Sequence, residues 1–398
     1  MEPVQKFCCD PMKAESGKTR MKNGEVFQYD KRDSQGTRVT PVSCEAFDFV
    51  RYAEYEESLK ERQKEFLEAD EGILVYSRVR ADGVFYDKCR DWKESSELKL
   101  AALHKSLEYQ ADIANFLEPW YGIGYIAGCF GGEYEFLDGQ APAVRPMFHS
   151  TEELLAAAPE KIENTPAGRQ ILEMTEYFMD RTKGKLPVSL TDVQSPINML
   201  SYLLPITDLF MEVYDDPDGV KEAAMLSAKL LAEFLNKQKA IIGDALASPG
   251  HGFASSRLFR GIGLSDDNSI MVAEEDYKEL FQPADEWLGE RFGGTVFHSC
   301  GNWEQKISMV KQMKGIFMAD GAFTIQTDPS PNNPDAFGEQ FADSGIILNA
   351  RAVGADAEST FERLYRKGLK LIAVTYCETA EEQEALYRKL HEMEQRLK

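Results

Sequence analysis

Eight short apolar segments alternate with longer segments of helical periodicity through most of this 398-residue chain. The strand-like segments are 72–79, 113–118, 186–192, 253–264, 295–299, 315–319, 345–350 and 369–376. The helical patterns cover 96–111, 218–242, 274–290, 303–312, 357–367 and 380–397. Such alternation is typical of a parallel sheet whose strands are joined by helices. Eight units favour a closed sheet over an open one, so the sequence predicts an α/β fold, a (β/α)₈ TIM barrel.

The N-terminal part of the chain lacks this alternation. Residues 1–50 are polar and show no clear period, and they include an adjacent pair of thiols, Cys8 and Cys9. Within 44–70, Tyr52, Leu59 and Phe66 recur at the spacing of an amphipathic helix. We therefore expect an irregular and helical N-terminal extension over 1–70 and the barrel over 71–398.

Composition narrows the classes of function. Hydrophobic residues make up 43% of the chain and aromatic residues 11%, enough for a large core. The net charge of −22 argues against nucleic-acid binding, which requires clusters of Lys and Arg. We find no apolar run long enough for a membrane span and no apolar region of a secretory signal, so we expect a cytoplasmic protein. In that compartment the seven cysteines are interpreted as thiols or metal ligands rather than disulfides.

The most informative motif is His298-Ser-Cys300, which ends the fifth predicted strand. Residues two apart on a strand point to the same side, so one ion can contact both side chains. Cys377 ends the eighth predicted strand, and the carboxyl ends of all barrel strands share one face. One imidazole and two thiolates suit Zn²⁺ with one open position. The alternative is structural, with the cysteines as small buried hydrophobes and the histidine as a hydrogen-bonded side chain.

Acidic and amide side chains also end predicted strands. Asp266 and Asp267 follow the fourth strand and are candidates for a catalytic carboxylate or a second metal contact. Because neighbours on an extended chain face opposite ways, we expect at most one of them to line the site. Asp192 and Gln194 end the third strand on one side and are candidate substrate-binding residues. Helix capping is the competing role for all four residues.

The first two predicted strands end in charged and aromatic residues. Glu118 ends the second strand and is a further candidate catalytic carboxylate. Trp120 and Tyr121 follow it, and their rings can stack on a flat macrocycle or simply pack. Arg78 and Arg80 end the first strand at two-residue spacing and are candidates for binding substrate.

Several of these motifs resemble the uroporphyrinogen decarboxylase superfamily. The resemblance covers about residues 110–395 and is most specific in the C-terminal third. It rests on the segments His298-Ser-Cys-Gly-Asn302, Val374-Thr-Tyr-Cys-Glu378, Thr191-Asp-Val-Gln-Ser-Pro196, Tyr214-Asp-Asp-Pro217 and Leu264-Ser-Asp-Asp267. Within the superfamily, the sequence looks most like the zinc-dependent branch of methylcobamide:coenzyme M methyltransferases and their corrinoid-using relatives.

This resemblance implies a particular site and reaction. His298, Cys300 and Cys377 would bind zinc, and an incoming thiol would take the open position as a thiolate. The reaction would move a methyl group between a corrinoid protein and a small thiol or related acceptor, with methyl-corrinoid as co-substrate. Barrels of this superfamily often pair, so the resemblance also implies that the chain can form a homodimer.

Two other functions stay open at the level of sequence. A tetrapyrrole decarboxylase of the uroporphyrinogen type is one, although Arg78 and Arg80 match its arginine motif poorly. Glu118 also stands where its catalytic Asp is expected, and those enzymes work without a metal. A corrinoid- or tetrapyrrole-binding protein without catalysis is the other, although an open zinc position has little use in a carrier.

Overall fold

A computed structural model of the chain describes residues 18–20, 26–28 and 36–397. The thiols Cys8 and Cys9 and most of the N-terminal arm lie outside these residues. The strands are β1 (Lys18–Arg20), β2 (Val26–Gln28), β3 (Gly72–Ser77), β4 (Ile262–Ser265), β5 (Thr295–His298), β6 (Ile316–Ala322), β7 (Ile347–Arg351) and β8 (Lys370–Thr375). The α-helices are α1 (Phe49–Glu68), α2 (Trp92–Ser106), α3 (Thr151–Ala156), α4 (Pro166–Thr182), α5 (Pro196–Ser201), α6 (Ile206–Asp215), α7 (Pro217–Ile242), α8 (Glu274–Leu280), α9 (Gln282–Phe292), α10 (Ile307–Gln312), α11 (Pro334–Phe341), α12 (Ala357–Leu364) and α13 (Ala380–Leu397).

Strands β3 to β8 form one all-parallel sheet in the order β3-β8-β7-β6-β5-β4, which confirms the α/β class. Successive side chains of β3 enter two different apolar clusters. Ile73 and Val75 belong to the large cluster shared with the helices, whereas Leu74 and Tyr76 belong to the cluster on the other face. A sheet buried on both faces is typical of parallel α/β folds.

The segments between the two edge strands make the fold barrel-like. Leu117 and Val188 form a parallel bridge, Val188 bridges Leu246, and Gln194 bridges Ser265 of β4. At the other edge, the Asp112 N–H donates to the Val75 carbonyl over 2.8 Å. These contacts lead from β4 to β3 through the regions predicted as the second and third strands.

Those two regions are single bridges rather than the predicted strands 113–118 and 186–192. At the edge of β3 no regular strand forms because side chains, rather than a backbone ladder, pair with the polar groups of β3. The Asp112 carboxylate accepts the Val75 N–H over 2.7 Å. Asn115 accepts the Val79 N–H over 3.0 Å and donates to the Ser77 carbonyl over 2.9 Å. The polar groups of the edge are thus paired without a regular strand.

The prediction of a strand over 253–264 was wrong in its first nine residues, because β4 begins only at Ile262. The chain turns instead between Ser248 and Ser256, which form an antiparallel bridge. Gly250 and Gly252 inside this turn have positive φ angles of 127° and 87°, which glycine tolerates best. The apolar residues that suggested a strand are buried by this turn.

Several helices differ from their predicted bounds. The predicted helix 274–290 is two helices, α8 and α9, with a break at Phe281 and a proline at the start of α9. Of the predicted helix 303–312, only the second part is α-helical, as α10, and a short 3₁₀ turn precedes it. Helix α4, which has a buried apolar face, was not predicted. Within the described part of the chain, no helix combines the length and the apolar character that crossing a bilayer requires.

Helix α1 follows Asp48, whose side chain accepts the Arg51 N–H and so caps the helix. Gln63 of this helix donates to the Asp112 carbonyl over 2.8 Å. Upstream of the helix, the Thr37 N–H donates to the Arg80 carbonyl over 2.6 Å, and Thr37 accepts the Asp82 N–H over 2.9 Å. The arm therefore pairs with the loop that follows β3. A domain boundary at residue 70 stays a prediction.

Candidate metal centre

Three potential ligands meet beyond the carboxyl ends of β4 and β5. The ligand atoms of Asp267, His298 and Cys300 all lie within 4.8 Å of one another, and all three side chains are half-buried. Cys300 Sγ and Asp267 Oδ1 each lie 3.6 Å from His298 Nε2. Asp267 Oδ1 also accepts the Cys300 N–H over 2.8 Å. Strand pairing explains the meeting, because Ser265 of β4 is the register partner of His298.

The His298 ring is oriented by the neighbouring strand. Its Nδ1 lies 2.6 Å from Asp320 Oδ2, so Nε2 faces Cys300 and Asp267. Asp320 in turn accepts a hydrogen bond from Asn349 and pairs with Arg351, whose Nε is 3.2 Å away. Metal-binding histidines commonly use such a carboxylate on the second ring nitrogen.

The charge balance around His298 follows from these contacts. Burial alone would lower the pKa of the imidazole, but the hydrogen bond and charge of Asp320 raise it above the ordinary value. Burial would likewise raise the pKa of Asp320, and Arg351 and His298 hold it below its usual range. The carboxylate of Asp320 is therefore kept ionised beside the ring.

Cys377 lies two residues beyond β8 and is half-buried. It is not part of the described group of Asp267, His298 and Cys300. Two of the three predicted ligands thus come together with an acidic residue, and a ligand role for Cys377 stays a prediction.

Asp266 and Asp267 point to different surroundings. Asp267 joins the candidate ligands, whereas Asp266 is buried and accepts hydrogen bonds from Ser195, over 2.9 Å, and from Tyr277. The same hydroxyl oxygen lies 2.6 Å from Asp285 Oδ2. Burial, assisted by the negative charge of Asp267, raises the pKa of Asp266 to about 7.

A second polar cluster joins the predicted residues of the first three strands. Glu118 Oε1 lies 3.3 Å from the Arg80 guanidinium, and Asp192 Oδ2 accepts the Trp120 indole N–H over 3.1 Å. Gln194 donates to Asp192 Oδ1 over 2.9 Å. All of these side chains except Arg80 are buried. We call this set, with His251, the mouth cluster.

His251 was missed by the sequence analysis, although it links two of the predicted residues. Its Nδ1 lies 3.2 Å from Glu118 Oε1, and its Nε2 lies 3.2 Å from Asp192 Oδ2. The only sequence signal is its place between Gly250 and Gly252, just before the segment 253–264 that was predicted as a strand. A lone histidine in such a segment has no distinguishing spacing.

Two predicted residues have contacts outside this cluster. Arg78 donates to the Tyr376 hydroxyl over 2.8 Å. Tyr121 packs edge-on against Tyr134, with ring centres 5.7 Å apart, and contacts Phe136. Its ring is therefore used in loop packing.

The donor set fits a zinc ion. Imidazole nitrogen, thiol sulfur and carboxylate oxygen are the three ligand types that zinc takes in proteins. A soft sulfur beside a nitrogen also disfavours Mg²⁺ and Ca²⁺, which prefer oxygen ligands. Residues Asp267, His298 and Cys300 would hold the ion.

Comparison with protein-family models and with curated proteins found no match. Among solved structures, the chain is similar to a methyltransferase from Methanosarcina mazei, with a TM-score of 0.56. The similarity covers 77% of this chain and 87% of that one, at 13% sequence identity. What the two share is the fold. This chain therefore has a methyltransferase-like α/β architecture.

Proposed function

We propose that this protein is a zinc-dependent methyltransferase that moves a methyl group between a corrinoid protein and a small thiol or related acceptor. The observation that carries the proposal is the meeting of Asp267, His298 and Cys300 at the carboxyl ends of parallel strands. This is the edge where α/β enzymes place their reacting groups. The fold shared with a methyltransferase supports the choice of reaction. The proposal includes an eight-stranded closed barrel as the scaffold.

The residues of the site have separate tasks in this proposal. Asp320 holds His298 so that Nε2 faces the ion, and Cys300 and Asp267 supply sulfur and oxygen. A zinc ion held there would lower the pKa of a bound thiol and keep its sulfur nucleophilic. Cys377, at the end of β8, is the proposed further ligand. The buried surroundings of Glu118, Asp192 and Gln194 would exclude water from the reactants.

The proposed methyl transfer is a nucleophilic displacement, with the thiol sulfur as nucleophile and cobalt as leaving group. The thiol loses its proton, an S–C bond forms, and the Co–C bond of the methyl-corrinoid breaks with its electron pair left on cobalt. The protein would contribute alignment of the two reactants more than covalent chemistry.

Metal analysis of four variants tests the site. We expect about one zinc ion per wild-type chain after zinc-replete growth, and clear loss in Cys300→Ala and Asp267→Asn. Cys377→Ala tests the proposed further ligand. Cys44→Ala, which removes an equally half-buried thiol before α1, is the matched control and should keep its zinc. A metal-free wild type would overturn the proposal.

Turnover tests the reaction itself. Wild-type protein with methylcobalamin and a panel of small thiols should consume methylcobalamin, measured by its absorbance, and a chelator should abolish the reaction. Decarboxylation of uroporphyrinogen that survives the chelator would favour the decarboxylase instead, because those enzymes need no metal.

A further inference from the structure

A continuous hydrogen-bonded path connects the mouth cluster to the candidate metal centre. His251 Nε2 lies 3.2 Å from Asp192 Oδ2, and Gln194 donates to Asp192 Oδ1 over 2.9 Å. Gln194 Oε1 accepts from Asn198 over 3.0 Å, and Asn198 donates again to Asp267 Oδ2 over 3.2 Å. A chain of side-chain contacts therefore links the Asp267 carboxylate to His251, while the Cys300 N–H holds its other oxygen.

His251 contacts a carboxylate at each ring nitrogen. A neutral imidazole has one N–H and can satisfy only one such acceptor, whereas an imidazolium has two. The contact of Nδ1 with Glu118 is an ion pair rather than an aligned hydrogen bond. Removing charge from the ring would leave two carboxylates, Glu118 and Asp192, facing each other across an uncharged group in a buried site.

The other charged groups around the cluster act on the carboxylates. Arg80 pairs with Glu118 over 3.3 Å, and Lys99 donates to the Glu118 carbonyl. Arg78 lies close enough to His251 that its positive charge disfavours a positive charge on the imidazole. The positive charges of Arg78, Arg80 and Lys99 therefore limit, but do not replace, the charge that His251 supplies between the two acids.

We propose that His251 is a positioning residue of the candidate site, whose imidazolium ties Glu118 to Asp192 and so fixes the amide path that orients Asp267. The link to metal binding rests on the proposed function, whereas the charge state of His251 and its pairing do not. Burial would lower the pKa of His251, but Asp192 and Glu118 together raise it above the ordinary value. The direction agrees with the geometry.

A titration of the histidine rings by NMR tests the charge state. The chain has five histidines, so the His251 signal can be assigned by comparison with His251→Gln. We expect its pKa above the ordinary value in the wild type and lowered in both Asp192→Asn and Glu118→Gln. The exposed His104 is the internal control, and its NMR signal should be the same in all of them. A neutral His251 ring below pH ~6, or an unchanged pKa in Asp192→Asn, would overturn the proposal.

Zinc affinity tests the path to Asp267. Indirect partners of metal ligands typically change affinity by about 10- to 100-fold, so we expect His251→Gln to weaken zinc binding about tenfold. His104→Gln, the matched control, should bind zinc like the wild type. Asn198→Ala, which breaks the same path near its other end, should act in the same direction and replaces His251→Gln if that variant does not fold. Wild-type affinity in both variants would overturn the path.

The two failures can be told apart. If the wild type binds no zinc, the proposed function fails, and the NMR titration still decides the pairing of His251. If zinc binds and methyl transfer occurs, the pH profile adds a measurement that a purely structural role would not change. Wild-type kcat should fall as pH rises through the His251 pKa, and this fall should be absent in His251→Gln. A fall of the same size in both would contradict the positioning role.

Discussion

His298 can offer only one ring nitrogen to a metal, because Asp320 occupies the other. That single contact decides which nitrogen faces Cys300 and Asp267. The position of Asp320 on β6, directly beside β5, makes the contact part of the sheet rather than of a flexible loop. The geometry of the candidate centre is therefore determined by strand register as much as by the ligands themselves.

Replacing this carboxylate should weaken metal binding without removing a ligand. We expect Asp320→Asn to reduce zinc affinity by about 10- to 100-fold, because the amide cannot supply the charge that favours a proton on Nδ1. Competition with a chromophoric chelator measures the change. Asp244→Asn, at an exposed acid after α7, is the control and should leave the affinity unchanged. Equal affinities in the two variants would show that Asp320 has no such role.

At the scale of single residues, the sequence predicted which side chains could bind a metal better than it predicted which side chains contact them. His298 and Cys300 were recognisable because two-residue spacing on a strand determines a common side. Asp320 and His251 were not, because their partners lie far away in sequence and only the sheet order brings them together. Trp120 and Tyr121 show the same limit, since adjacent aromatic residues enter unrelated surroundings.

The C-terminal helix α13 is joined to the sheet by a buried ionic contact. His391 Nε2 lies 3.0 Å from Asp112 Oδ2, and Nδ1 lies 3.3 Å from Glu394 Oε2. Burial alone would lower the pKa of His391, but the hydrogen bonds that these two carboxylates accept from its ring raise it from 6.5 to about 9. Asp112 also accepts the Val75 N–H of β3, so helix and strand share one acceptor.

This contact predicts a pH-dependent stability. Because the pKa is higher in the folded chain, its contribution is complete below the ordinary value of 6.5 and is lost as the pH rises through about 9. Urea unfolding between pH ~6 and ~10 should show a fall in the free energy of unfolding for the wild type. His391→Gln should be less stable at the acidic end and should lack that part of the fall. Parallel curves for the two proteins would refute this.

Close packing between α11 and α12 gives a second prediction at the scale of elements. A Cβ on Gly338 would lie 2.1 Å from the Leu364 carbonyl oxygen, a backbone atom that cannot turn aside. Gly338→Ala should therefore lower the free energy of unfolding by about 1–3 kcal/mol, measured by urea denaturation. Glu339→Ala, at the exposed neighbouring position, should change it by less than about 0.5 kcal/mol. Equal stabilities would mean that the two helices separate easily.

Element type was predictable where the period was long and uninterrupted. Helices α7 and α13 appear almost at their predicted bounds, and so do strands β3, β5 and β8. Errors arose where side chains replaced backbone pairing, as Asp112 and Asn115 do beside β3. They also arose in the glycine turn before β4, where apolar residues are buried without a ladder. Neither the side-chain pairing beside β3 nor the glycine turn before β4 produces a periodic pattern in the sequence.

The molecule as a whole carries a net charge of −22, which the fold must tolerate. Self-repulsion among like charges destabilises a compact state and is screened by salt. We expect the melting temperature to rise when NaCl increases from about 0.02 to about 0.3 M at neutral pH. Near pH ~5, where part of the carboxylates are protonated, the same increase should have a smaller effect. A melting temperature that falls with salt at neutral pH would show that attractive ion pairs dominate instead.

At this largest scale, alternation of strands and helices was sufficient to predict the α/β class and the edge that carries the candidate site. It could not predict which loops close over that edge, because loop contacts depend on single residues rather than on a period. The distribution of Glu118, Asp192 and His251 over three separate segments is one result. Their meeting depends on contacts between segments that are far apart in sequence.

The pairing of Thr37 with Arg80 and Asp82 has a practical consequence for anyone preparing this protein. Arg80 is the residue that pairs with Glu118, so the backbone hydrogen-bonded to Thr37 also supports the mouth cluster. A shortened gene that starts at α1 would retain helices α1 to α13 and the six strands of the parallel sheet, yet lose one side of that support. An N-terminal truncation for crystallisation should therefore keep Thr37 and the residues that follow it.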